Sequence, residues 1–174
     1  MHYFPTFLSR TIAVMPKMEI KTAISKILFQ EVGEGNPVKA HENIYIKTMT
    51  NVGFKREVVT DAVPFYATKQ LINGYEEASG NYLRGLGFLY GTEVADLVMV
   101  SGIGEAVCRV TGKKKLPWVD IHVAQEPEHV EKANEATNPM FSPDEEALVV
   151  QGAEEMWNLW IAFFDRLNDR DKAF

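Results

Sequence analysis

His122, Glu126 and His129 stand four and three residues apart in the stretch from Trp118 to Val130. On a helix of about 3.6 residues per turn, those intervals bring all three side chains onto one face, where two imidazoles and a carboxylate can converge on a metal ion. Two neutral nitrogens and a hard anionic oxygen suit ferrous iron. Structural zinc usually draws on thiolates, and this chain has one cysteine, Cys108. A solvated helix rich in His and Glu presents the same pattern, so the triad gains meaning only if other elements supply further ligands.

Because a buried unpaired carboxylate is costly, acidic residues on otherwise apolar helix faces mark where such ligands would come from. Glu31 lies four residues after Ile27 and three after Leu28, on the stripe begun by Ile20 and Ile24. Glu93 lies four after Leu89, four before Leu97 and seven before Val100. His41 precedes Ile44, Tyr45 and Thr48 at helical spacing. Each residue alone also fits a surface glutamate bordering an apolar face or a satisfied core histidine. Together, three of the four histidines and three carboxylates fall on faces that can meet, the ligand count of a dinuclear carboxylate and imidazole site. His2 has no specific partner and stands apart.

The elements that must position these residues read as helices throughout, with no alternating run long enough for a sheet, so the expected class is all-α. A helix from Met18 is stopped by the breakers of Gly33-Glu-Gly-Asn-Pro37. A second is expected from Val38 to Met49 with Ile44, Tyr45, Thr48 and Met49 inward, ending at Asn51-Val-Gly53, and a third from Tyr66 to Ala78. From Asn81 to Val110 one long helix or two abutting ones carry Leu86, Leu89, Tyr90, Leu97, Val100 and Ile103 inward. Pro117 opens the His-rich helix, in which Pro127 predicts a kink. Ser142-Pro-Asp-Glu145 combines an N-cap serine, a first-turn proline and a glutamate at the third position. The helix it starts should reach about Arg166 and bury Val149, Ala153, Met156, Trp157, Trp160 and Phe164. The Gly-rich loop lacks a preceding strand and a lysine, so no phosphate-binding role attaches to it.

At 174 residues the chain has the length of one helical domain spanning 1–174. With 18 Lys and Arg against 24 Asp and Glu, the net charge of −6 provides no general attraction to nucleic acid or anionic lipid. The longest uncharged stretch near the centre, around 98–103, is too short to cross a bilayer, and no basic then apolar leader opens the chain. A cytoplasmic protein is expected. Cys108 rules out an internal disulfide and reads first as a small buried hydrophobe.

The residues assembled above resemble the haem-oxygenase-like diiron oxidases of the TenA-like superfamily, a group that includes the death-domain-associated chlamydial-type protein and several natural-product oxygenases. That pattern is Glu, then His after a Gly-containing loop, then Glu on a later helix, then His-x-x-x-Asp-x-x-His. The matching residues are Glu31, His41, Glu93 and His122-Val-Ala-Gln-Glu126-Pro-Glu-His129, and the resemblance runs from Tyr3 to Phe164. Glu126 stands where the family has aspartate, Pro127 is a further departure, and Glu34 competes with Glu31, which is preferred because it lies in the helix. The chain is short for the family, and by the resemblance it begins inside the family's second helix, so the first is expected to be missing or very short.

The resemblance implies a haem-oxygenase-like bundle of about seven helices holding two irons (Fe2+/Fe3+), with manganese as the alternative metal. Dioxygen would be the co-substrate, a small organic molecule the substrate, and a homodimer the assembly. Tyr45 and Tyr90, one turn from His41 and Glu93, are core aromatics or neighbours of the cluster. Two other readings remain open. One is a TenA-like thiaminase-type hydrolase with Cys108 as nucleophile, for which no acidic or imidazole partner is identifiable. The other is a metal-free helical interaction domain that uses the stripe from Trp157 to Phe164 for a partner.

Overall fold

Local signals set the helix ends. Asn81 accepts hydrogen bonds from the Leu83 and Arg84 amides at 3.0 and 3.2 Å, opening a helix that closes at Gly112 in the left-handed conformation, φ 71°. The predicted capping box is formed: the Ser142 amide donates to Glu145 Oε2 at 2.8 Å, and the Glu145 amide donates to Ser142 Oγ at 3.3 Å.

The computed structural model describes residues 3–138 and 141–171, and His2 lies outside them. Among the described residues there are eight α-helices and no strand: α1 (Phe4–Val14), α2 (Met18–Glu31), α3 (His41–Asn51), α4 (Arg56–Thr60), α5 (Tyr66–Ala78), α6 (Tyr82–Thr111), α7 (Pro117–Thr137) and α8 (Pro143–Asp171). The all-α class is as expected.

Several details differ. α1 and the short α4 were not anticipated, and α1 contributes Phe7, Leu8 and Thr11 to the core, so a helix does precede α2. Pro37–Lys39 forms a 3-10 turn instead of the start of α3, since Asn36 caps the Val38 amide. Of the two alternatives for the segment after Asn81 the structure takes the single long helix, and Pro127 lies inside α7.

The core joins Phe7, Leu8, Ile20, Ile24, Ile27, Leu86, Phe88, Leu89, Ala133, Ala136 and Met156. Full burial of an aliphatic or aromatic side chain of this kind contributes about 1.5–3 kcal/mol. α6 is the central element and is flanked by α7 and α8. A Cβ on Gly87 would strike the backbone of Val149, Gly152 and Ala153, and one on Gly152 would strike the backbone of Arg84. Glycine therefore lets the α6 and α8 backbones touch.

Two expected stripes are narrower than the periodicity suggested. Leu97 (40 % exposed) and Ile103 (38 %) face outward, because beyond Asp96 the buried line of α6 is Val100 and Gly104, the latter against Val119 of α7. On α8, Met156 is buried while Trp157 (44 % exposed) and Phe164 (36 %) lie at the surface. On α3, Ile46 takes the buried position, with Ile44 and Tyr45 half-buried.

α6 is also long and apolar enough to cross a membrane by length and composition, contrary to the sequence expectation for this region. Half of its apolar stretch is buried within the fold, and that stretch holds Glu93 and Asp96, which are costly in hydrocarbon. These features fit a core helix.

Candidate metal centre

Four helices deliver acidic and imidazole side chains to one place in the core. α2 ends with Gln30 and Glu31, and the loop that follows turns the chain back sharply, with positive φ at Gly33 (88°), Glu34 (55°) and Gly35 (81°). A Cβ on Gly33 would collide with the Asn36 carbonyl oxygen and the Ala40 amide nitrogen, so only glycine fits this reversal. As a result His41, the first residue of α3, faces the last residue of α2: His41 Nδ1 lies 2.9 Å from Glu31 Oε1. Glu34 is exposed. Of the two competing glutamates, Glu31 is the one in the cluster.

α7 is anchored to α3 at its start, where the Trp118 amide donates to Thr48 Oγ1 at 3.1 Å. This hydrogen bond satisfies one of the amides that a helix N-terminus leaves free, and it seats the His-rich face against α3. His122, Glu126 and His129 then point inward, and α6, antiparallel to α7, supplies Glu93.

The structure brings all six predicted residues together, each at most 7 % exposed. Their ligand atoms fall into two groups, Glu31/His41/His122 and Glu93/Glu126/His129, with atoms inside each group within 4.8 Å of one another. A third group, Asp96/His122/Glu126, includes a residue that the sequence reading missed. The available signal was the interval of three from Glu93, which puts Asp96 one turn along the same face. It was hidden by the assumption that Leu97 pointed inward.

Each histidine is held from outside the cluster. His122 Nδ1 donates to the Trp118 carbonyl at 2.8 Å, which leaves Nε2 to face inward. His41 Nε2 is 2.9 Å from Gln125 Oε1, and His129 Nε2 is 3.0 Å from Gln30 Oε1, so both present Nδ1 to the carboxylates. A carbonyl acceptor on one ring nitrogen fixes the tautomer that leaves the other nitrogen as a metal-binding lone pair. Gln30 is oriented in turn, its Nε2 donating to Glu128 Oε2 at 3.1 Å.

The electrostatics are those of a site that wants cations. Burial, then the charges of Asp96 and Glu93, push the Glu126 carboxyl far above its ordinary range. Burial also raises Glu93, against the pull of His129 at 3.4 Å. Burial works against ionised Glu31 too, but the hydrogen bond and charge of His41, with His129 and His122, outweigh it and hold that carboxyl low. Burial lowers His122. For His129 the burial cost is outweighed by Glu93, which raises it. Glu93 Oε1 and Glu126 Oε2 are buried without a hydrogen-bond partner, a costly state that a bound cation would relieve.

The tyrosines singled out from the sequence stay outside the ligand groups. Tyr45 packs edge-on against Trp118, with ring centroids 5.2 Å apart, and Trp118 lies 4.7 Å from the His122 ring. Tyr90 lines an open, mostly apolar groove of about 870 Å³ with Phe141, Val149 and Trp157. Cys108 is half-buried on α6 and belongs to none of the converging groups.

The fold and site define an all-helical bundle with a buried carboxylate and imidazole cluster able to hold metal ions. The chain belongs to the iron-containing redox enzyme family, whose family model matches residues 1–161. No curated protein matches it. The fold is shared with a CADD-like protein of unknown function from Nostoc punctiforme PCC 73102, with a TM-score of 0.85 and 14 % sequence identity, over 97 % of this chain and 76 % of that one.

Proposed function

We propose that the protein is a non-haem diiron oxidase or oxygenase that uses dioxygen to oxidise a small organic substrate. The observation that carries this reading is the buried cluster itself: Glu31, His41, Glu93, His122, Glu126 and His129 converge from four helices, with two carboxylate oxygens left unpaired. No ordinary structural role accounts for orphaned buried carboxylates, whereas divalent cations satisfy them. Membership of an iron-containing redox enzyme family supports iron as the metal.

Two ferrous ions held by these residues would supply the electrons and open coordination positions needed to activate dioxygen. The chain's own residues prepare that chemistry. Gln30, Gln125 and the Trp118 carbonyl fix the imidazole tautomers. Leu89 and Ala133, one helical turn from Glu93 and His129, are fully buried and help keep water away. Glu93, Glu126 and His129, whose proton affinities are raised, would release protons as metal enters.

The test is anaerobic loading with ferrous iron, desalting and elemental analysis, then mixing with oxygenated buffer while following visible absorption. Two irons per chain and a transient band, both lost in His122→Ala, are expected. Protein that retains no iron and behaves identically after His122→Ala sinks the reading.

A further inference from the structure

Resting on the dinuclear reading above, we infer that Asp96 is a seventh ligand, the carboxylate that spans the two metal positions. Asp96 converges with His122 and Glu126, its ligand atom within 4.8 Å of both. Those two belong to different groups, His122 to that of Glu31 and His41, and Glu126 to that of Glu93 and His129. Asp96 thus stands outside both groups and meets one member of each, the position a bridging carboxylate occupies.

Charge balance points the same way. The two groups alone hold three carboxylates, Glu31, Glu93 and Glu126, against the four positive charges of two divalent ions, and the imidazoles are neutral as ligands. Adding Asp96 makes four carboxylates, so the metal-filled core carries no net charge, the condition that minimises the cost of burying ions. The unpartnered Glu126 Oε2 and Glu93 Oε1, both on buried residues, show independently that the cluster has coordinating capacity left to fill.

Helix geometry makes the position deliverable. Glu93 and Asp96 are one turn apart on α6, and the exposed Val94 and Val98 lie away from them, so the helix turns this acidic pair toward α7. Asp96 is half-buried while the other six are buried, which sets it at the outer edge of the cluster.

The experiment loads wild type, Asp96→Asn, Asp96→Ala and Asp96→Glu with Mn2+ alone. It reads metal per chain after desalting, affinity by titration, and the electron paramagnetic resonance spectrum. Wild type should hold two ions with an exchange-coupled spectrum. Asp96→Ala and Asp96→Asn should keep one ion, bind the second at least tenfold more weakly, and show an isolated-ion spectrum, while Asp96→Glu restores the coupled pair. Asp96→Asn is nearly isosteric, and an unchanged melting temperature without metal certifies its fold. Two ions with wild-type affinity and coupling in Asp96→Ala overturn the bridging role and leave the dinuclear reading standing. A wild-type chain that binds fewer than two ions overturns both.

Discussion

Gln30 and His129 meet across α2 and α7: Gln30 Oε1 lies 3.0 Å from His129 Nε2, and Glu128 holds the other end of the same amide. Gln125 does the same for His41 from α7 to α3. α2 and α7, which both carry ligands, thus each also carry a glutamine that orients a histidine on a neighbouring helix, His129 on α7 and His41 on α3, coupling ligand geometry to helix packing.

If these amides set the tautomers, Gln30→Leu and Gln125→Leu should each weaken metal binding about 10–100-fold while leaving the metal-free fold intact. Isothermal titration with Mn2+ and circular dichroism check this. Unchanged affinity in both variants would falsify the tautomer role.

Metal binding and metal-free stability should respond to pH in opposite senses. Glu93 and Glu126 have folded-state proton affinities above the ordinary value of 4.5, and His129 lies above 6.5. At these three groups the folded chain binds more protons than the unfolded one, and their contribution is lost as pH rises through the folded values. Glu31 and His122 are lowered, so each favours the fold above its ordinary value and loses that contribution as pH falls through the folded one. Metal must displace the protons of the three raised groups, so the rise in melting temperature produced by Mn2+ should grow between about pH 6 and about pH 8. A rise that shrinks over that window, measured by differential scanning fluorimetry, contradicts the assignment.

The α2 to α3 reversal gives a separable prediction. Gly33→Ala places a Cβ against the Asn36 carbonyl and the Ala40 amide at a positive φ. The cost should be about 1–3 kcal/mol. Because that turn sets Glu31 against His41, metal affinity should fall as well. Gly53→Ala, also at positive φ but with open space around it, should destabilise less and leave metal affinity alone.

Much of this was legible from spacing, and the reasons for the misses are physical. Glu31, Glu93 and the His122 triad interrupt apolar stripes, and that interruption is visible wherever several neighbours bury a wide helix face. Beyond Asp96 the buried line of α6 is narrow, so Leu97 and Ile103 keep the helical period while facing outward, and Asp96 was overlooked. The backbone contact between Gly87 and Gly152 was invisible because two glycines far apart in sequence say nothing of each other until the helices cross. Gln30 and Gln125 escaped notice since a glutamine beside a ligand is unremarkable until its partner's ring position is known.

Glu126 offers the sharpest test of whether the cluster serves function over stability. Its carboxyl is buried, raised by burial and by the charges of Asp96 and Glu93, and carries an unpartnered oxygen. Glu126→Gln keeps the shape and removes the ionisable group, so the metal-free protein should gain stability, by about 1–3 kcal/mol if the unpaired oxygen is the main cost. At this chain length each kcal/mol corresponds to about 2–4 °C in Tm. The same variant should lose most of the Mn2+-induced rise, since a neutral amide is a poor substitute for a carboxylate ligand. Wild type and variant melts, with and without Mn2+, make a four-way comparison. If Glu126→Gln is less stable without metal, the carboxylate is a structural partner, and the metal-binding role assigned to this position is wrong.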